Sequence, residues 1–529
     1  MTNKKALILS VIASLALLLL IIGATYAYFQ ASGETGTNTD VKVTTYTTDI
    51  INFEVGNDIE ISADQTTFAS GKGNATGSTF AKAILTANNK TNTSTMNYYL
   101  YFNITKNSFG YTQNENTPEL LLTITDGSGN PVTDITSLTY KTVTDGKGAS
   151  ISGYDITNKD GLITLFDSKS ITASPTKTDE WNITVTFINY DVDQSNNMGK
   201  SFNAELIIQK DKLLQLVSEV CENGDNLSSC IATLGSESIS IATHIYYHDN
   251  TLENGAEDNS YRYAGPSDKV NNFVCFGSNA ATCPTDNLYR IIGVIDGKVK
   301  LIKYDYATSI LLGTGGDYAG SGTPESTYKG SLTSINKYYW NYKNNTKINN
   351  GFGSNTWSTS LLNKTNLNSN FLNNIGSTWA GKIATTTWKA GGGTLANIRD
   401  SVPSIAYKYE VGSNASSTTY NAKIGLMYVS DYYYAASPGA WTLVGYNDNS
   451  TKDYRAAISN NWMYMGEGFD WIFSRSSDNA VFVIFVTNDG NINATLAKSS
   501  GSVRPVFNLE STVTFAGGSG TQSDPIRIA

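Results

Sequence analysis

Histidine is almost missing from this chain: among 529 residues there are two, His244 and His248. That scarcity limits chemistry, because a Ser-His or Cys-His mechanism has few bases to draw on. Charge is thin as well. Asp, Glu, Lys and Arg make up 16% of the residues, against a usual ~25%. The net charge of -9 comes without any Lys/Arg cluster beyond Lys4-Lys5, so the footprint that phosphates require is missing and nucleic acid is not expected as a partner. G-x-S-x-G, Walker A, dinucleotide and kinase motifs are also lacking. No catalytic residue stands out, and no cofactor is expected.

Cysteine is limited to two close couples, Cys221 with Cys230 and Cys275 with Cys283. Neither has C-x-x-C spacing, which favours local disulfides over zinc, although four cysteines allow three pairings. Such bridges last only in an oxidising compartment. What the chain does have is Asn, Ser, Thr, Gly and Tyr in abundance, the profile of an exposed, β-rich surface protein. Its length implies two to four folded units.

The N-terminus has the layout of an export signal: Lys4-Lys5, an uncharged run from Ala6 to Gly23, then small residues. Thr25 and Ala27 occupy the -3 and -1 positions of a signal-peptidase site, which would leave Tyr28 as the first mature residue. The eighteen residues of Ala6-Gly23 also approach the roughly 20 needed to cross a bilayer, so residues 1-27 are a signal peptide or a retained membrane anchor. The stretch "GATYAYFQ" resembles the signal of the TasA/camelysin family, exported biofilm-matrix proteins of Gram-positive bacteria. A pilin signal would need an acidic residue inside the apolar run, and none lies between Ala6 and Phe29. The chain closes on "DPIRIA", without a sorting motif, so attachment is expected at the N-terminus if anywhere.

Between 28 and 210, "NYYLYFNIT" (97-105), "ELLLTITDGSGNPV" (119-132), "EWNITVTFINYD" (180-191) and "KSFNAELIIQK" (200-210) alternate apolar with polar residues, as half-buried strands do. Turn-rich "DGSGNP" and "DGKGAS" separate them. The pattern predicts an antiparallel β-sandwich, and "EWNITVTFINYDVDQSNNMGKSFNAELIIQ" is similar to the closing strands of the TasA/camelysin sandwich. In that family subunits join by strand addition, so the resemblance implies self-assembly through the segment from Tyr28.

Residues 211-250 read as a linker. Leu213, Leu214, Leu216, Val217 and Val220 form a helical stripe, followed by a disulfide-closed loop. From 251 to 529 the composition shifts, with seven of the eight Trp lying beyond residue 250. "NLYRIIGVIDGKVKLIK" (287-303) reads as a hairpin turning at Asp296-Gly297. In "NTWSTSLLNKTNLNSNFLNNI", Trp357 and Leu361, then Leu367, Phe371 and Ile375, recur every four residues and predict short helices. "KIGLMYVSDYYYAAS", "FDWIFSRSSDNAVFVIFVTNDGNINATL" and "GSVRPVFNLES" read as strands, making the region α+β. Their order, with the terminal "GGSGTQSDPIRI", is similar to a bacterial surface-protein family with a formylglycine-generating-enzyme/C-type-lectin-like fold. The copper-holding cysteines of the oxidase are not matched, since no Cys follows 283. Nor are the calcium-dependent sugar-binding tripeptides of lectins, so the resemblance implies fold rather than chemistry.

Three features invite a ligand. His244 and His248 lie four apart, but Ile245 stands where a zincin needs Glu, and the β-like flanks put both on one strand face. They would matter for a secreted camelysin-like metallopeptidase, the alternative function. Asp191, Asp193 and Ser195 start a calcium-loop pattern that Asn196 and Phe202 break. Aromatics carry the main expectation: Tyr432, Tyr433, Tyr464, Trp462 and Trp471, with Tyr434, sit in loop-like stretches of the composition found in recognition surfaces. Tyr433 and Trp462 lead as contacts for a glycan or protein ligand. Arg475 and Arg504 are expected to hold buried carboxylates or carbonyls. The chain thus reads as an exported cell-surface or biofilm-matrix protein with a non-catalytic, adhesin-like head.

Overall fold

The computed structural model describes residues 49-67, 71-88, 92-319, 336-344, 347-348, 352-390, 392-415, 418-444 and 452-529. The signal segment, the Ala27-Tyr28 cleavage site and the assembly segment after it lie outside the described residues. The chain divides into two compact units, Met1–Lys212 and Leu213–Ala529.

In the first unit ten strands form two antiparallel sheets. One has the order β1 (Ile50–Val55), β3 (Ala75–Thr86), β9 (Thr176–Phe187), β5 (Leu120–Asp126), β7 (Ser150–Asp155), β6 (Tyr140–Thr144). The other runs β2 (Ile59–Ser62), β10 (Ser201–Gln209), β4 (Ser94–Asn107), β8 (Gly161–Ala173). All four stretches that alternate in sequence contribute strands. In β10 every second residue is buried, which puts Phe202, Ala204, Leu206 and Ile208 in the core with Ala81, Ala83 and Leu85 of β3. A period of two is what sends one face inward. Both sheets supply this single core, the packing of a β-sandwich.

The turns carry their own chemistry. The Asp126 carboxylate accepts from the Ser128 and Asn130 amides, each at 2.9 Å, and Asp145 does the same for Lys147 and Ala149. In the calcium-like stretch Asp193 accepts from the Ser195 amide at 3.0 Å and Asp191 has a φ of 56°. The Asp193 side chain and the Asp191 backbone both serve a turn between strands.

The second unit is built on an antiparallel sheet ordered β11 (Ile245–His248), β12 (Ser260–Tyr263), β14 (Leu288–Ile295), β15 (Lys298–Lys303) and the strand Val506–Asn508, with β13 (Phe273–Cys275) also paired to β14. The hairpin between β14 and β15 turns where its sequence indicates: Asp296 and Gly297 have φ of 51° and 71°, the left-handed pair of a type I′ turn. Three further strands, Asp470–Arg475, Phe482–Val486 and Ile492–Leu496, make a second sheet. The helical expectation over 355-375 takes an unusual form, a π-helix at Leu362–Phe371. Its buried apolar residues, Leu362, Leu367 and Phe371, follow the wider turn in steps of five and four.

Residues beyond 212 are no linker. Val217, Leu227, Cys230, Ile231 and Leu234 belong to the core of the second unit, and the Phe515 amide donates to the Asp225 carbonyl at 2.7 Å, so the two ends of the unit are stitched together. The predicted helical stripe is extended until a single 3-10 turn at Val217–Glu219, and the helix runs instead over Leu227–Glu237. Asn226 begins it by accepting from the Ser229 amide, a cap that the Leu-rich stretch lacks. The cysteines pair locally, Cys221 with Cys230 and Cys275 with Cys283.

Candidate functional site

The aromatic residues expected to meet a ligand are structural. "SDYYYAAS" is part of a helix, Val429–Tyr434, rather than a loop or strand, and Tyr432, Tyr433 and Tyr434 are at most 1% exposed. Consecutive helical residues point about 100° apart, so the three rings enter different parts of the interior. There each hydroxyl must find an acceptor. Tyr432 donates to the Gly490 carbonyl at 2.8 Å, Tyr433 to Arg399 at 2.7 Å and Tyr434 to Asn254 at 3.3 Å. Trp462 and Trp471 are buried, their indoles donating to the Tyr263 and Tyr338 carbonyls. Tyr464 is half-buried and donates to Asn488 at 2.7 Å. None of the six lines the cleft described below.

The two histidines do not share a strand face. His244 ends a short helix with a φ of 57°, and His248 closes β11 fully buried. His248 accepts from the Ala256 amide through Nδ1 at 3.0 Å, which places its proton on Nε2, and its ring packs against those of Tyr434 and Trp441. Burial, helped by the nearby Arg262 charge, pushes His248 down to about 3. Among the described residues the one group of His, Cys, Asp or Glu close enough to hold a metal is Cys221, Asp225 and Cys230, and its two sulfurs are bonded to each other. Arg504 and Arg475 sit as expected: Arg504 donates to Asp470 at 2.6 Å and Arg475 to the Ala390 carbonyl at 2.8 Å.

A different place has the makings of a site. Arg262 from β12, Lys298 and Lys300 from β15, the strand Thr386–Lys389, Tyr407 from the helix Pro403–Glu410, and Ser430-Asp431 converge on a cleft of about 510 Å³. That size lies within the ~300–1,000 Å³ of small-molecule sites. The strand period puts Lys298 and Lys300 on one face. Lys300 pairs across to Asn508, whose side chain donates to the Thr386 hydroxyl at 3.0 Å.

Its floor is a buried charge network. Lys300 Nζ lies 2.6 Å from Asp431, which also accepts from the Tyr428 amide at 2.9 Å and faces Arg262 at 3.5 Å. Arg262 in turn pairs with Asp258 at 2.6 Å. Aromatic faces complete the cations' surroundings: Lys300 lies 4.9 Å from the Tyr428 ring centre and Arg262 5.5 Å from that of Tyr407. Burial alone would raise Asp258, but the Arg262 charge and the hydrogen bonds from Ser260, Arg262 and Tyr407 hold it at about 2. Burial lowers Lys300 despite the attraction of Asp431.

Behind the floor, Glu410 is fully buried and accepts from the Val429 and Ser430 amides, each at 2.9 Å, and from the Ser474 hydroxyl. Burial pushes it up to about 7, against those hydrogen bonds. Glycine shapes the wall: a Cβ on Gly425 would meet the Trp388 ring at 2.8 Å, so the indole rests directly on backbone. The arrangement offers fixed cations, hydroxyls and aromatic edges, which is equipment for recognition. Sequence reading missed it, although Lys298 and Lys300 alternating with Val299 and Leu301 was a visible sign of charge on one strand face.

The comparisons add no relative: no protein-family model matches the chain, and no curated protein matches it.

Proposed function

We propose that this chain is an exported cell-surface or biofilm-matrix protein of a Gram-positive bacterium, whose TasA/camelysin-like sandwich anchors or assembles it and whose lectin-like second unit binds a ligand without catalysis. The observation that carries the reading is the cleft around Lys300 and Asp431, a small-molecule-sized recess with a preset charge network. Two disulfides support an oxidising, extracellular setting. The antiparallel sandwich supports the first half of the reading, and its family-level identity rests on the signal-like "GATYAYFQ" and the closing-strand segment.

The test is binding of labelled full-length protein to bacterial and host surfaces. Saturable binding that weakens about tenfold in Lys298→Ala, with melting unchanged, and that also weakens in Tyr407→Ala is expected. Binding that never saturates, or that both variants retain in full, would remove the cleft from the function.

A further inference from the structure

We propose that the cleft selects a carboxylate-bearing sugar and that Lys298 sets this preference without a metal ion. This rests on the reading of the cleft as a ligand site. Asp431 is held by Lys300 and Arg262, and Arg262 is also paired with Asp258, so the floor charges are matched internally. What remains on the lining is Lys298 and Lys389 against the single carboxylate Asp296. Lys389 spends its ammonium on the Val411 carbonyl. Lys298 is half-exposed, with no acceptor among the described residues. The cleft is therefore locally cationic in a chain whose net charge is -9, and an anion arriving there meets a lysine that has nothing to give up.

The rest of the lining indicates what carries the anion. Thr385, Thr386, Thr387 and Asn508 line the cleft; the Asn508 amide donates to the Thr386 hydroxyl and the Thr387 hydroxyl to the Asn421 side chain, and the remaining capacity of such groups can donate and accept as sugar hydroxyls do. Tyr407 adds a partly exposed ring to the lining. A peptide would call for apolar anchor pockets, and the aliphatic lining is limited to Ile295 and Val411. Divalent cations have no call on the site, because its buried carboxylate, Asp431, is already neutralised by two cations.

The experiment titrates the full chain with a hyaluronan tetrasaccharide and with the same tetrasaccharide after its carboxylates are reduced to alcohols, with and without EDTA. The acidic form is expected to bind about tenfold or more tightly than the reduced form, with no effect of EDTA. Lys298→Ala should abolish that preference. Equal affinity of wild type for both forms overturns the inference and leaves the cleft a ligand site. Binding of poly-glutamate alone, lost in Lys298→Ala, makes the ligand an acidic peptide and overturns the sugar class. Binding of the acidic form that Lys298→Ala and Tyr407→Ala both leave intact places the sugar elsewhere and overturns the cleft reading too. Failure of every probe to bind overturns the inference, while the surface-binding assay still decides the reading beneath it.

Discussion

Lys300 and Asp431 meet at 2.6 Å across 131 residues of sequence, each less than a tenth exposed. A buried pair of this kind is weak evidence of stability as a whole, yet breaking it strands a charge. Lys300→Met leaves Asp431 facing Arg262 alone and is expected to cost about 3 kcal/mol, read as a lower melting temperature of the second unit by calorimetry. Adding Asp431→Leu should recover part of the loss. A Lys300→Met protein that melts like wild type would show the pair to be idle.

Glu410 makes the second unit sensitive to base. Its folded pKa, about 7, lies above the ordinary carboxylate value, so the folded state holds the proton more tightly. The stability linked to that proton is full below about 4.5 and is lost as pH rises through 7, on the order of 3 kcal/mol. His248 works in the opposite direction: with its pKa depressed to about 3, its contribution is full above about 6.5 and is lost as pH falls. Denaturation at pH 5 and pH 8 should show Glu410→Gln flattening the alkaline decline. An unchanged slope would mean that Glu410 does not titrate in this range.

Trp462→Ala is expected to unfold rather than to impair a free surface. The indole is buried, donates to Tyr263 and lies 4.8 Å from the Arg290 guanidinium, so truncation should cost about 3–5 kcal/mol. Unchanged melting with selective loss of binding would return Trp462 to the ligand site.

Gly425→Ala probes the cleft wall. Its new methyl would press on Trp388 at 2.8 Å, and a displaced indole should shift tryptophan emission and weaken ligand binding. Emission and affinity both matching wild type would show that the wall yields without consequence.

Intact mass of the native protein from cell, membrane and medium fractions tests export. A species starting at Tyr28 outside the membrane is expected, and it should resist alkylation until reduced because all four cysteines are paired. A full-length species confined to membranes would make Ala6-Gly23 a permanent anchor and remove assembly through a freed N-terminus.

Local rules decided much of this protein from sequence alone. The period of two in β10 placed its core face, Asp296-Gly297 set a hairpin, and close cysteine couples paired with their neighbours. These are short-range matters of backbone sterics and alternation, which residues a few positions apart settle. Tertiary structure decided the rest. "SDYYYAAS" became a buried helix because neighbouring elements covered it and supplied acceptors for its hydroxyls. The cleft arose because Arg262, Lys300, Trp388, Tyr407 and Asp431 come from five separate segments. Burial and ion pairing depend on what the fold brings alongside, and no local pattern encodes that.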